Sequence, residues 1–319
     1  MSTIYGNPLL LGGKKSTPLS VSTNGTWSIA EGYSPVTVNI PASAVTNGTV
    51  IVTAKGEYDV TNFKNVIVDI GAVFATTSPV SGVSYVDGLP NDWYIMKEIG
   101  MAISEASESI NKNTTGSIYV NKKNKWAYKI TPGNTITVNN HLYAVMGFNN
   151  FALTNQGNYG GTHTTAGLTF GTVDCVATGK MNYGNTNSGG WKKCQMRTNA
   201  LPNLQSGMPD TLAKVKVPYV ENGQSTILYS NDYLFLPAEK EVFGTRGDSL
   251  LAEADALTQF AYYKNGGSKI KYFSGSAVYW WLRSASSSSS SDFCCVSTSG
   301  NANAKRASES NGGAPCFCV

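Results

Sequence analysis

The chain has 319 residues, of which only 14% are charged, and its net charge at pH 7 is +4. Its apolar content is ordinary for a globular protein, so the length allows two or three domains with sizeable cores. It has no cluster of Lys and Arg interleaved with aromatics and no run of about 18 apolar residues, so neither nucleic acid binding nor membrane insertion is expected. The segment from Met1 to Pro8 lacks the features of a signal peptide, so export is not expected either.

The cysteines and histidines do not indicate a metal or redox site. In a protein that is not exported, the expected state of cysteines is reduced and buried. Neither the vicinal Cys294 and Cys295 nor the pair Cys316 and Cys318 has zinc-ligand spacing. We therefore expect no metal and no cofactor.

The N-terminal part is predicted to consist of an attachment arm, residues 1–20, followed by a β-repeat domain, residues 21–90. Two stretches, 24–40 and 55–70, each have a Gly turn, an aromatic residue and an alternating run that ends in Ile. This pattern predicts a small hairpin or sandwich unit in each copy. The first copy also resembles the short β repeats of phage tail, baseplate and fibre proteins. The resemblance implies that the N-terminal part contacts other virion tail proteins.

Residues 91–111 are predicted to form a helix that Asn91 or Asp92 caps. Apolar residues recur at spacings of three and four, which makes a seam along one helix face: Met96, Ile99, Ile103, Ala106 and Ile110. Two interpretations stay open. The helix lies on its own domain, or residues 91–116 form a short oligomerisation stem.

A larger domain is predicted over residues 117–319. Its expected strands include 117–120, 125–130 and 230–237, and residues 135–138 lead through an Asn139-Asn140 turn into a buried strand over 141–148. The last strand is expected to pair with 143–148. Helices are predicted over 191–208, 239–242 and 253–263.

The stretch Trp280–Val319 organises this domain. A polar run from Ala285 to Asn311, with six consecutive serines, is bracketed by apolar segments at both ends. Such a run is usually a disordered tail, but the bracketing favours a long loop that is anchored twice. Trp280 and Trp281 are the expected scaffold, and Arg283 is expected to bind a carboxylate or carbonyls inside the fold.

Dispersed motifs of residues 117–319 together form a recognisable pattern: 143–149, 168–170, 181–182, 189–191, 196–197, 232–237, 241–242, 280–284 and 314–319. This pattern resembles the C-type lectin fold of the type found in formylglycine-generating enzymes. It is especially similar to the variable proteins of diversity-generating retroelements, such as phage tropism determinants.

The resemblance implies an α+β fold and a variable region, residues 285–310, that reverse transcription rewrites at adenines. Ligand contacts are then expected at positions that derive from Asn codons. Lys305 is included in this set, although changing the first two bases of an Asn codon does not produce Lys. The positions are Ser286, Ser288, Ser289, Ser290, Ser291, Asp292, Cys295, Ser297, Ser299, Ala304, Lys305, Arg306, Ser308 and Ser310.

The expected function is that of a phage receptor-binding protein of the tail fibre, a homotrimer that displays a diversified surface to a protein or glycan on the host cell. One alternative is a bacterial surface protein with the same domain. An enzyme of the formylglycine-generating type is disfavoured, because no base or positive environment is visible near the cysteines. A calcium-dependent lectin is disfavoured too, because Asp292 stands alone among serines. Phe293 is the only aromatic residue between Trp281 and Phe317, so a single site is expected to bind weakly or to recognise a polar surface.

Overall fold

The structure, a computed structural model, describes residues 73–123, 125–154 and 163–319 and the backbone of five short strands before residue 70. The fold is α+β, with mostly β-sheet and a few short helices. The chain divides into two compact units. The first comprises residues 1–73, 122–126 and 160–162, and the second comprises residues 74–121, 127–159 and 163–319.

The first unit contains β1 (Leu19–Val21), β2 (Trp27–Ile29), β3 (Val50–Val52), β4 (Ala54–Lys55) and β5 (Val66–Val68). Strand β2 pairs antiparallel with β1 and parallel with β4, and β3 pairs antiparallel with β5. Both predicted repeat copies thus contribute a strand. The attachment arm over residues 1–18 and the rest of the repeat lie outside the described residues.

The second unit follows in chain order. Its first elements are β6 (Val73–Thr76), β7 (Val86–Asp87), α1 (Trp93–Glu105), β8 (Ile118–Lys122), β9 (Trp126–Ile130), β10 (Thr135–Val138), β11 (His141–Ala152), β12 (Thr165–Thr172) and β13 (Ala177–Gly179). Then come α2 (Gly190–Lys193), a π-helix (Met196–Ala200), α3 (Leu201–Gln205), β14 (Val215–Tyr219), β15 (Leu228–Asp232), β16 (Leu234–Phe235), α4 (Glu239–Phe243), α5 (Leu251–Ala256) and α6 (Ala261–Lys264). The last are β17 (Lys271–Phe273), β18 (Ser276–Val278), β19 (Trp280–Ala285), β20 (Asp292–Val296), β21 (Ala302–Arg306), β22 (Asn311–Gly313) and β23 (Cys316–Cys318).

The first central sheet has the order β10-β11-β12-β23-β16, with every neighbouring pair antiparallel. Its opening hairpin turns at Asn139 and Asn140, both at positive φ, which confirms the predicted turn. Strand β23 lies between β12 and β16, so the prediction that it pairs with residues 143–148 is wrong by one strand. Strand β12, of which seven of eight residues are buried, takes that place, with Phe170 stacked on Phe317 at 5.1 Å.

Helix α1 packs against β12. Asp92 caps it, because its side chain accepts a hydrogen bond of 2.7 Å from the backbone N–H of Tyr94. The close approach of helix and strand requires glycine at position 167, where an added Cβ would lie 2.0 Å from the carbonyl oxygen of Gly100. The seam residues Met96, Ile99, Ile103 and Ile110 are completely buried.

This burial corrects the predicted domain boundaries. The apolar seam of α1 is already covered within its own unit, so residues 91–116 are not a free coiled-coil stem. The second unit begins at Phe74 and not at residue 117. Of the two interpretations of the helix, the amphipathic helix that lies on its own domain is the one observed.

The second central sheet has the order β13-β22-β19-β20-β21. Four of its five strands, β19 to β22, come from the C-terminal stretch, and every residue of β19 is buried. The chain ends inside the fold as well, because Val319 exchanges backbone hydrogen bonds of 2.9 and 3.0 Å with Leu168. The Ser-rich run is therefore anchored at both ends, as the bracketing predicts.

Two predicted helices are interrupted. The helix over 191–208 breaks at Cys194, which is extended, and continues as the π-helix and α3. The helix over 253–263 is divided into α5 and α6 at Leu257, which is also extended. In both cases apolar periodicity continues through a point where the backbone changes direction. The predicted strand over 230–237 is likewise divided into β15 and β16.

Candidate functional site

Strand β19 supplies the base of the candidate site. Trp280 and Trp281 are completely buried, and each indole N–H donates a hydrogen bond of 2.8 Å to a backbone carbonyl, that of Lys269 and that of Gly179 respectively. A large aromatic side chain contributes about 2–3 kcal/mol through burial alone. Both indole donors bond to carbonyls that lie outside the Ser-rich run, so these two anchors of β19 do not depend on the side chains of that run.

Arg283 lies inside the fold. Its guanidinium donates two hydrogen bonds, of 2.6 and 2.7 Å, to the carboxylate of Glu241. It also donates 2.9 Å hydrogen bonds to the carbonyls of Pro218 and Leu236. Arg283 and Glu241 are both buried, so the pair is a desolvated, fully bonded ion pair that joins β19 to α4. Its place matches the expectation of an internal anchor.

The loop between β19 and β20 is held through its backbone. The side-chain amide of Asn187 donates to the carbonyls of Ser289 and Asp292, at 2.8 and 2.9 Å. The Asn187 N–H donates to the carbonyl of Ser290 at 2.8 Å, and the Ser287 N–H donates to the carbonyl of Asp248 at 2.7 Å. None of these bonds involves a serine side chain. These framework bonds therefore do not depend on which side chains the loop carries, although the hydroxyls of Ser286, Ser288 and Ser289 make further hydrogen bonds within or beside the loop.

Eleven of the fourteen sequence-predicted contact positions are at least partly accessible on this loop, on β21 and on the turns beside them. They form what we call the recognition surface: Ser288, Ser289, Ser290, Ser291, Asp292, Ser299, Ala304, Lys305, Arg306, Ser308 and Ser310. Lys305 lies with its ammonium 4.7 Å from the ring centroid of Tyr279 and 3.4 Å from the carboxylate of Glu309. The surface thus combines small polar side chains with a few charges.

Three predicted contact positions face inward, and their assignment as ligand contacts is corrected. Ser286 and Cys295 are completely buried and Ser297 is 6% exposed. The Ser286 hydroxyl accepts hydrogen bonds from the N–H groups of Ser288 and Ser289, so it shapes the loop from inside. Cys295 lies on β20, between β19 and β21, and is paired with the buried Trp281. Ser297 closes a turn by accepting from the Asn301 N–H at 3.1 Å.

Several residues of this region were not predicted from the sequence. Asn187 and Asn222 both reach the loop backbone, and Asn185 accepts a hydrogen bond from the hydroxyl of Ser308. Tyr183, which is 72% exposed, precedes these residues in the same segment. The only sequence signal was the polar, Gly-bearing character of residues 182–190, which indicates a loop but not the loop that it supports. Exposed Ser287 and Asn303 were also omitted from the predicted set.

A buried acidic cluster supports the loop from below. The Glu239 carboxylate accepts hydrogen bonds from the N–H groups of Gly247 at 2.9 Å and Ser249 at 2.8 Å, which closes the turn that carries Asp248. Glu253 accepts hydrogen bonds from the Ser284 hydroxyl and the Val220 N–H. Burial raises the pKa of Glu253 to about 7, although the charge of Arg283 opposes the shift.

All six cysteines are free and buried. Burial raises the pKa of Cys295 and Cys318 to about 12 and that of Cys316 still higher. A thiol with such a pKa is protonated at neutral pH and is a poor nucleophile. Within the described ranges, no three His, Cys, Asp or Glu side chains are grouped so that they would hold a metal ion.

The helices of the described residues are all too short or too polar to cross a membrane. Residues 171–319 match a protein family described as "Domain of unknown function (DUF6273)". The match begins at the end of β12 and runs to Val319, so it includes the recognition surface, β19 and the Asn187 segment together. Neither a curated protein nor a solved structure matches the chain.

Proposed function

We propose that this chain is a receptor-binding protein, in which residues 286–310 display a replaceable recognition surface on a C-type lectin scaffold. Its place would be a phage tail fibre, and its partner a protein or glycan on the host cell. The proposal includes diversification of the surface by a retroelement. It rests on the sequence resemblance and on one structural observation.

That observation concerns the loop from Ser286 to Ser291: residues outside the loop bind its backbone, while several of its side chains are exposed. Asn187 and Asp248, which lie outside the variable stretch, hold the loop through backbone groups. Ser290 is exposed, and so is Ser288, although the Ser288 hydroxyl donates a hydrogen bond of 2.7 Å to the carboxylate of Asp248. Substitutions at such surface positions usually change stability by no more than about 0.5 kcal/mol. A surface built in this way tolerates many sequences, which is what a diversified binding protein requires.

The arrangement of the sheets supports the lectin-like scaffold. The last strand, β23, is enclosed within the first central sheet, and the long excursion between β19 and β22 carries the accessible side chains. The match to a family over residues 171–319 treats this whole region as one domain. The homotrimer expected from the resemblance remains part of the proposal, but the buried seam of α1 no longer supports it.

The enzymatic alternative is weaker. A formylglycine-generating chemistry needs an activated thiol, and burial raises the pKa of Cys316 and Cys318 well above neutrality. The bacterial surface protein remains the second candidate, because the same recognition surface would serve it equally well. The two are distinguished by where the protein is found, on purified virions or on the cell envelope.

Binding to a panel of bacterial cells tests the proposal. The test variant carries Ser290→Asn, Ser299→Asn and Arg306→Asn, all exposed on the recognition surface. The matched control carries Gln224→Asn and Ser225→Asn, which are exposed elsewhere in the same unit. We expect the test variant alone to change which cells are bound, with an unchanged melting curve. Equal binding by both variants would place recognition outside this surface.

Diversification is tested separately, at the level of DNA. We expect an adenine-rich near-copy of the segment that encodes residues 280–319 beside a reverse-transcriptase gene. If no such copy exists, the diversification claim is wrong, while the binding proposal stands on the cell panel alone.

A further inference from the structure

A cleft of about 460 Å³ lies away from the variable stretch, beside the π-helix. None of the residues that line it falls within 286–310. π-Helices are rare, and they frequently occur at functional sites. The lining combines two cations, one carboxylate and an apolar wall: Arg197, Lys214, Asp232, Tyr233, Leu201 and Pro202.

The carboxylate of Asp232 already has three donors. It is 6% exposed and accepts hydrogen bonds from the Trp191 indole at 3.0 Å, the Ser230 hydroxyl at 2.6 Å and the Arg197 Nε at 2.7 Å. Its role is therefore to fix Arg197 at the cleft and not to receive a cationic ligand.

The guanidinium of Arg197 has N–H groups that are not used in hydrogen bonds within the described residues. A guanidinium has five N–H groups. Besides the bond to Asp232, Arg197 donates to the carbonyl of Lys192 at 2.9 Å and to that of Asn231 at 3.4 Å. Within the described residues, two of its N–H groups are thus left for a ligand. The side chain is 21% exposed, so it is accessible at the cleft.

Lys214 adds a second positive charge. Its ammonium lies 5.3 Å from the centroid of the Tyr233 ring, and in the described part of the chain no carboxylate lies within ion-pair distance of it. The two cations and the one carboxylate give the lining a formal charge of +1. A partly desolvated site with excess positive charge and unused donors favours an oxyanion.

We propose that this cleft is a second binding site, for a small ligand that carries an anionic oxygen group on a pyranose-sized body, as in an acidic sugar. Arg197 and Lys214 bind the anionic group. Leu201 and Pro202 contact the apolar face of the body. The volume lies within the range of ligand pockets, about 300–1,000 Å³.

Isothermal titration calorimetry of the full chain tests this site with three probes: glucuronate, glucose 6-phosphate and neutral glucose. We expect both anionic probes to bind and glucose to bind at least about tenfold more weakly, because it lacks the charge. A preference between the carboxylate and the phosphate identifies the anionic group. Raising the salt concentration is expected to weaken the binding of both anionic probes, because salt screens their attraction to the two cations.

Lys214→Gln and Lys216→Gln form the matched pair of variants. Both remove one positive charge near the same strand, but Lys216 is exposed on β14 and does not line the cleft. Lys214→Gln should weaken glucuronate binding about tenfold, while Lys216→Gln should change it less than twofold. Arg197→Lys, which keeps the charge but loses the planar fork, should also weaken binding. Equal effects of the two lysine variants, equal binding of glucose, or no binding of any probe at millimolar concentration would overturn the proposal.

Discussion

The side-chain amide of Asn187 donates a hydrogen bond of 2.8 Å to the backbone carbonyl of Ser289. Asn187 is 1% exposed, and the two residues are 102 positions apart in the chain. The hydrogen bonds that this framework side chain donates to the loop all end on backbone carbonyls. This relationship makes Asn187 the most important single support of the recognition surface.

Replacing Asn187 tests that support. Asn187→Ala removes hydrogen bonds to the carbonyls of Ser289 and Asp292, so we expect a loss of about 1–3 kcal/mol in the free energy of unfolding. Urea denaturation measures this loss, and hydrogen exchange should show faster exchange in residues 286–292. Asn185→Ala, at an exposed position in the same segment, is the control and should stay within about 0.5 kcal/mol. Similar losses in both variants would contradict this role of Asn187.

The buried pair of Arg283 and Glu241 is expected to behave as a unit. Arg283→Met leaves the Glu241 carboxylate buried without its partner, so the expected loss is about 3–5 kcal/mol. The double variant Arg283→Met with Glu241→Leu should lose less than the sum of the two single variants, because no charge is left uncompensated. A double-mutant cycle from chemical denaturation measures the coupling. Simple additivity would mean that the pair is not coupled.

The pKa of Glu253 gives the protein a stability that depends on pH. Burial raises this pKa from 4.5 to about 7 in the folded chain, so between these values the folded state binds more protons than the unfolded state. The contribution of Glu253 is complete below pH 4.5 and is lost as the pH rises through about 7. Its size is on the order of 3 kcal/mol.

The variant Glu253→Gln should remove this dependence. We expect the fall in unfolding free energy between pH 5 and pH 7 to be clearly smaller in Glu253→Gln than in the original chain. Denaturation at several pH values measures the slope. Glu309→Gln, at a partly exposed carboxylate, serves as the control and should leave the slope unchanged. A slope that is the same with and without Glu253 would contradict the raised pKa.

Glycine at position 167 is expected to be irreplaceable. In Gly167→Ala the new Cβ would meet the carbonyl oxygen of Gly100, so α1 must move away from β12. We expect a loss of at least about 1–3 kcal/mol, as in other overpacked cores. Gly116→Ala is the control, because nothing lies within 4 Å of its added Cβ. Thermal unfolding of both variants measures the difference, and equal melting would argue against tight packing of α1.

Local features of this fold were predictable from the sequence, while long-range partners were not. Asp92 as a helix cap and the Asn139-Asn140 turn follow from short-range backbone chemistry. The buried Trp280 follows from apolar character alone. The pairing of β23 with β12 instead of β11 was missed, because β12 contains three threonines and two glycines and is less apolar than β11, although seven of its eight residues are buried. In the same way, an apolar seam does not specify what covers it, which is why α1 had two open interpretations.

Which residues of the Ser-rich run face outward could not be predicted from the sequence either. Ser286 and Ser290 belong to one run of identical residues, yet the first is completely buried and the second is exposed. Composition assigns both to the surface, and only the path of the loop over Asn187 and Asp248 separates them. The support by Asn187 was equally hidden, since the sequence contains many similar asparagines and the bond spans most of the domain.

The central claim is that, in the run of serines from Ser286 to Ser291, only the outward-facing residues can be replaced. Two single variants test it most directly. Thermal unfolding and cell-panel binding are measured for Ser290→Asn and for Ser286→Asn. We predict that Ser290→Asn changes the bound cells and keeps its stability within about 0.5 kcal/mol. We predict that Ser286→Asn loses about 1–3 kcal/mol, because the larger side chain has no space. Unfolding of Ser290→Asn, or full stability of Ser286→Asn with altered cell selectivity, would contradict the claim.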